Sequence, residues 1–205
     1  MKLTSLALIT ALALPALATA DDMNKPAPAD KAKATAKLVD EDVKLVAHIH
    51  HVNLMEIDMG KLAQKMGGDA VKKYGAALVK DHTDGDKDLT AFAKTKGVAK
   101  IPADVPPTEA AKKEMADDMA KMAELKKKKG AEFDREFLMM MTAGHDKELG
   151  KLTAAIPAIQ DADLTAKMKD LQPVLQRHAD TARELAKAAP TASTQRPLEP
   201  IAILK

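Results

Sequence analysis

Apolar residues recur at alternating steps of four and three along four long stretches of this chain, the spacing of a helix that buries one face. Leu45, Ile49, Val52, Met59, Ala63 and Met66 keep that register on the first stretch, and Val71, Gly75, Leu78, Gly85, Leu89 and Phe92 on the second. Leu138, Met141, Leu149 and Leu152 keep it on a later one, and Leu164, Met168, Leu171, Leu175, Ala182 and Leu185 on the last. Breakers set the ends. Gly67-Gly68 stops the first helix, Asp69 is placed as N-cap of the second, and Gly97 closes it. Thr108 caps a shorter third helix that ends by Gly130; a fourth runs from about Glu132 to Ala155, and a fifth from about Ala162 to Ala189. Pro173 predicts a kink in the fifth helix or a later start. Short connections make successive helices antiparallel, so the expected fold is an all-α up-down bundle of four long helices with one additional shorter helix.

Each long stripe is interrupted once by a polar residue in phase with it: Glu56 on the first helix, His82 on the second, His145 on the fourth and His178 on the fifth. Counted from the turn between them, Glu56 and His82 differ in height by only about 4 Å, and His145 and His178 by roughly 5–9 Å, at 1.5 Å rise per residue. All four are expected near mid-bundle. Burying imidazoles and a carboxylate is costly unless they are paired or coordinated. One resolution is a metal ion, with Zn, Fe, Mn or Cu suited to this donor set. Asp81, Asp134 and Glu148 are then additional ligands or acceptors that orient the rings. The other resolution is metal-free: Glu56 bonds His82, and His145 pairs with His178 or Asp134, in a polar core that fixes helix register. Both stay open on the sequence.

Two further clusters compete for attention. His48, His50 and His51 crowd one turn with Met55 nearby, which is either a surface copper or zinc site or a solvated group. Met115, Met119 and Met122, with Met139-Met140-Met141, suggest Cu(I) ligation, but in a chain with three Phe, one Tyr and no Trp they serve better as core filler.

Composition removes several function classes. A net charge of +2 with interspersed signs, and no aromatic groups placed for stacking, argues against nucleic-acid binding. The Lys126-Lys127-Lys128-Lys129 run complements the negative end of a helix dipole; the sharper alternative is a patch for an anionic membrane or nucleic acid. No catalytic triad, phosphate loop or dinucleotide fingerprint is present, and without cysteine there is neither a disulfide nor a thiolate. Catalysis is therefore the weaker expectation.

The N-terminus reads as an export signal. Lys2 precedes an apolar stretch from Leu3 to Leu17, and Ala18-Thr19-Ala20 is a small-residue cleavage site before Asp21-Asp22. The expected organisation is a signal peptide over 1–20, a flexible Ala/Lys/Pro leader over 21–38, a bundle domain over 39–189 and a disordered tail over 190–205. The destination is periplasmic or secreted, with no membrane span after cleavage near Ala20 and an envelope protein as the conceivable kind of partner. Oligomeric state is not encoded in any visible pattern.

Several spaced motifs carry a resemblance. Asn53-Leu54-Met55-Glu56-Ile57, Gly60-Lys61-Leu62-Ala63, Val71-Lys72 and Val79-Lys80-Asp81-His82-Thr83 are similar to the family called domain of unknown function 4142. So are Gly130-Ala131-Glu132-Phe133-Asp134-Arg135-Glu136-Phe137 followed by His145, and Leu171-Gln172-Pro173 followed by His178. The resemblance covers about Asp40 to Ala188. It implies a ferritin-like four-helix bundle, exported by bacteria as an outer-membrane or periplasmic protein, with Glu56, Asp81, His82, Asp134, His145 and His178 in the family pattern. It implies no activity. Ferritin-type di-iron sites need paired Glu-x-x-His motifs, whereas this chain has Asp81-His82 on one helix and the reversed His145-x-x-Glu148 on another, which argues against oxygen-dependent di-iron chemistry.

Overall fold

The computed structural model describes residues 36–188; the expected signal peptide, nearly all of the expected leader and the expected tail lie outside the described residues. Five α-helices follow one another: α1 (Asp40–Met66), α2 (Asp69–Thr95), α3 (Glu109–Leu125), α4 (Gly130–Ala155) and α5 (Ala162–Ala188), with a single 3-10 turn at Ile156–Ala158. No strand occurs among the described residues, so the expected all-α class is met.

The breakers act through identifiable bonds. Gly97 takes φ +84°, open to glycine at little cost, and lets Gly97 N–H reach the Lys94 carbonyl and Val98 N–H reach Ala93 at 2.9 Å. Thr108 caps α3 by accepting from Ala111 N–H at 3.1 Å, as expected. At the start of α2 the expectation needs correction. Gly68, not Asp69, is the N-cap, and having no side chain it uses one from α4: both Asp134 oxygens accept from Gly68 N–H, at 3.0 and 3.2 Å. α5 starts where expected, Asp161 accepting from Leu164 N–H at 2.9 Å, and runs as one helix through Pro173.

Two apolar clusters show how the helices run. One joins Met59 and Ala63 at the end of α1, Val71, Tyr74 and Leu78 early in α2, Leu125 at the end of α3, Phe133 and Phe137 early in α4, and Ala182 late in α5. The other joins Val46 and Ile49 early in α1, Leu89 and Phe92 late in α2, Leu152 late in α4, and Leu164 and Met168 early in α5. Direction therefore alternates over all five helices. Among the four long ones, however, α2 and α4 run the same way, because the 96–129 segment carries the chain back along the bundle. α3 lies beside α4 rather than across one end: Lys147 pairs with Glu114 and Asp118.

α1 and α2 form a hairpin of close-packed backbones. A Cβ on Gly60 would lie 2.7 Å from the Gly75 carbonyl oxygen, and one on Gly75 would lie 2.6 Å from the Gly60 oxygen and 2.7 Å from Ala63 Cβ. Four residues before Gly60 and seven after Gly75 come Glu56 and His82. α4 and α5 form the second hairpin. One position of the expected stripe fails: Gly85 is exposed, and the neighbouring Asp86 turns inward to hold His50.

Candidate metal centre

Between the two apolar clusters lies a polar layer of Asn53, Glu56, His82, His145 and His178, all buried. The heights counted from sequence agree with it. Ring centroids lie 5.2 Å apart for His145 and His178, 5.3 Å for His82 and His178, and 5.9 Å for His82 and His145. One nitrogen from each of the three rings falls within 4.8 Å of the others.

Hydrogen bonds to the outer nitrogens fix which lone pairs point inward. His82 Nδ1 lies 2.9 Å from Asn53 Oδ1, His145 Nδ1 lies 2.8 Å from the Met141 carbonyl, and His178 Nε2 lies 3.0 Å from Asp81 Oδ2. Each partner is an acceptor, so each of these nitrogens carries the proton and donates it. The remaining nitrogens, His82 Nε2, His145 Nε2 and His178 Nδ1, are then unprotonated in the neutral rings. His82 Nε2 has no partner, and His145 Nε2 faces His178 Nδ1 at 3.3 Å. Two lone pairs at that distance repel unless a proton or a cation lies between them.

Extra protons are disfavoured on His82 and His178. Burial, reinforced by the neighbouring His178 and His145, pushes His82 down to about 3. Burial also lowers His178, against the opposing pull of Asp81. Glu56 moves the other way: burial raises its carboxyl, and the charge of Glu148 adds to that while His145 opposes it. Its Oε2 has no hydrogen-bond partner. Tyr74 closes the layer on the side of the first apolar cluster, donating from its hydroxyl to the His178 carbonyl at 3.0 Å, and burial raises its pKa.

The three other candidates separate. Asp81 orients His178 and also accepts from Arg177 at 3.0 Å; these two bonds outweigh burial and hold its carboxyl below the usual range. Glu148, its side chain only 15% exposed, pairs with His48 Nε2 at 2.9 Å and Lys151 at 3.0 Å rather than with the three rings. Asp134 is a correction: it caps α2, eleven residues and about 16 Å of helix rise before His145. The metal-free pairings expected from sequence are half right, since His145 does meet His178, but His82 bonds Asn53 instead of Glu56. Asn53 is the residue the stripe analysis misses. Its position three residues before Glu56, on the same helix face, is the signal that was available.

The crowded turn of α1 is not one site. His48 reaches Asp104 at 2.9 Å and Glu148, His50 reaches Asp86 at 2.6 Å, and His51 is exposed. The methionines divide too: Met141 is core, Met122 and Met140 pack against it, and Met119 and Met139 are 66% and 56% exposed. No helix among the described residues is long and apolar enough to cross a membrane.

No curated protein and no solved structure matches the chain. A family model does, over residues 27–185, a span that takes in every helix up to the last turn of α5 and all of the polar layer. The chain thus belongs to the family described as Domain of unknown function (DUF4142).

Proposed function

We propose that this protein is an exported, ferritin-like helical bundle that binds a transition-metal ion at its centre through His82, His145 and His178, with Glu56 as a further ligand. The observation that carries this is the convergence of three imidazole lone pairs, each oriented by an acceptor on the ring's far side, the arrangement that usually surrounds metal-ligating histidines. Nitrogens bound at 2.0–2.1 Å to a tetrahedral ion lie about 3.3–3.4 Å apart. His145 Nε2 and His178 Nδ1 already stand at 3.3 Å. Export rests on the Lys2 to Ala20 signal pattern, and the ferritin-like assignment is supported by the single long crossover between α2 and α4.

One observation favours a second reading, an envelope or stress-related interaction protein with a metal-free polar core. The 3.3 Å contact between His145 and His178 also fits one shared hydrogen bond, formed when one of the two rings takes up a second proton in place of the ion. Elemental analysis of protein purified from its native compartment separates the two. The metal reading expects a stoichiometric transition metal in wild type that is lost in His145→Ala. Only trace metal in wild type, with no thermal shift on adding Zn, Cu, Fe or Mn, overturns it.

A further inference from the structure

The four candidate ligands are distributed one to each long helix, and the two hairpins contribute in different ways. The second hairpin brings His145 and His178, which already touch. The first brings Glu56 Oε2 and His82 Nε2, the two buried side-chain polar atoms without a hydrogen-bond partner among the described residues. Orphaned buried polar atoms cost stability, and these two sit in the same layer as the convergent lone pairs. The nearby carboxylates are committed elsewhere, Asp81 to His178 and Arg177, Glu148 to His48 and Lys151. A second ion would have to break those pairs.

Resting on the metal-binding reading above, we infer that the centre takes a single divalent ion of tetrahedral preference, Zn2+ in its chemistry, whose four protein ligands clasp the α1–α2 hairpin to the α4–α5 hairpin. Three nitrogens and one carboxylate oxygen complete a tetrahedral sphere, and a sphere completed by protein leaves no open position for a substrate. The ion is then a cross-link within the bundle. It satisfies the two orphaned atoms of the first hairpin by joining them to the histidine pair of the second.

The test titrates the metal-free, full-length mature protein with Zn2+ and with Co2+, and follows amide hydrogen exchange with and without Zn2+. The expected results are one equivalent bound, the intense visible absorption of tetrahedral Co2+, and slower exchange around the site in both hairpins. Glu56→Gln, which preserves shape, is expected to weaken Zn2+ binding by about tenfold or more and to lose the protection in α1. Glu148→Gln is expected to leave the stoichiometry at one. Two equivalents, the weak absorption of octahedral Co2+, or protection confined to α4 and α5 would overturn the clasp while leaving metal binding intact. Failure of both ions to bind would overturn the metal reading itself.

Discussion

Histidine occupies two regions of this bundle whose surroundings shift it in opposite directions. His48 sits between two carboxylates, and the bond to Glu148, helped by Asp104 and opposed by burial, raises its pKa. His82 sits among other imidazoles with a neutral amide as its acceptor, and burial drives its pKa down. Two carboxylates therefore favour the cation at His48, whereas burial among imidazoles keeps His82 a neutral base at the centre. Adjacency in sequence is a poor guide to which is which. The three histidines crowded at 48–51 disperse to three different surroundings, whereas His82, His145 and His178, separated by 63 and 33 residues, converge.

The sharpest way to break this comparison is metal affinity. His82→Ala should lower Zn2+ affinity by at least about a hundredfold, because the ligand itself is gone, while His48→Ala should leave it nearly unchanged; calorimetric titration measures both. Comparable losses in the two variants would place the metal elsewhere.

The packing that presents Glu56 and His82 can be broken separately. Gly75→Ala drives a methyl into the Gly60 carbonyl and Ala63, and should cost about 1–3 kcal/mol in denaturant unfolding. An effect near zero would mean that the hairpin separates at no cost.

The pH dependence of the metal-free protein should carry opposite signs from the two regions. His82 is neutral when folded down to about 3 but titrates near 6.5 when unfolded. Stability referable to it is complete above about pH 6.5 and is lost as pH falls from there, at up to about 1.4 kcal/mol per pH unit. His48 has a raised folded pKa, so its contribution is complete below about pH 6.5 and is lost as pH rises through the folded value. In urea unfolding across pH, His82→Gln should flatten the acid limb and His48→Gln the alkaline one. The same limb flattened by both would refute the contrast.

The smallest effect belongs to Asp134. Asp134→Ala removes an acceptor from the N-terminus of α2 and should cost about 0.5–1 kcal/mol with no change in metal affinity. A change in affinity would restore it as a ligand.

The long helices were legible in the sequence because a buried stripe at helical spacing leaves a local record, and the level of the polar layer followed from counting residues out from two turns. What each polar side chain bonds was not legible. Asp81 and Asp134 both stand near candidate ligands in sequence and motif, but only the lateral position of α5 puts Asp81 against His178, and only the return of the chain through α3 puts Asp134 over Gly68. Asn53 was hidden for a related reason. It lies inside a helix face already counted as apolar, and its role depends on the rotation of α2, which no spacing within α1 records.

The most direct measurement is an anomalous-difference map from crystals of the protein grown with Zn2+. A single strong peak bonded to His82 Nε2, His145 Nε2 and His178 Nδ1, with Glu56 completing the sphere, is the predicted result. A peak between His48 and Glu148, or none in the polar layer of a protein that binds zinc in solution, would contradict it.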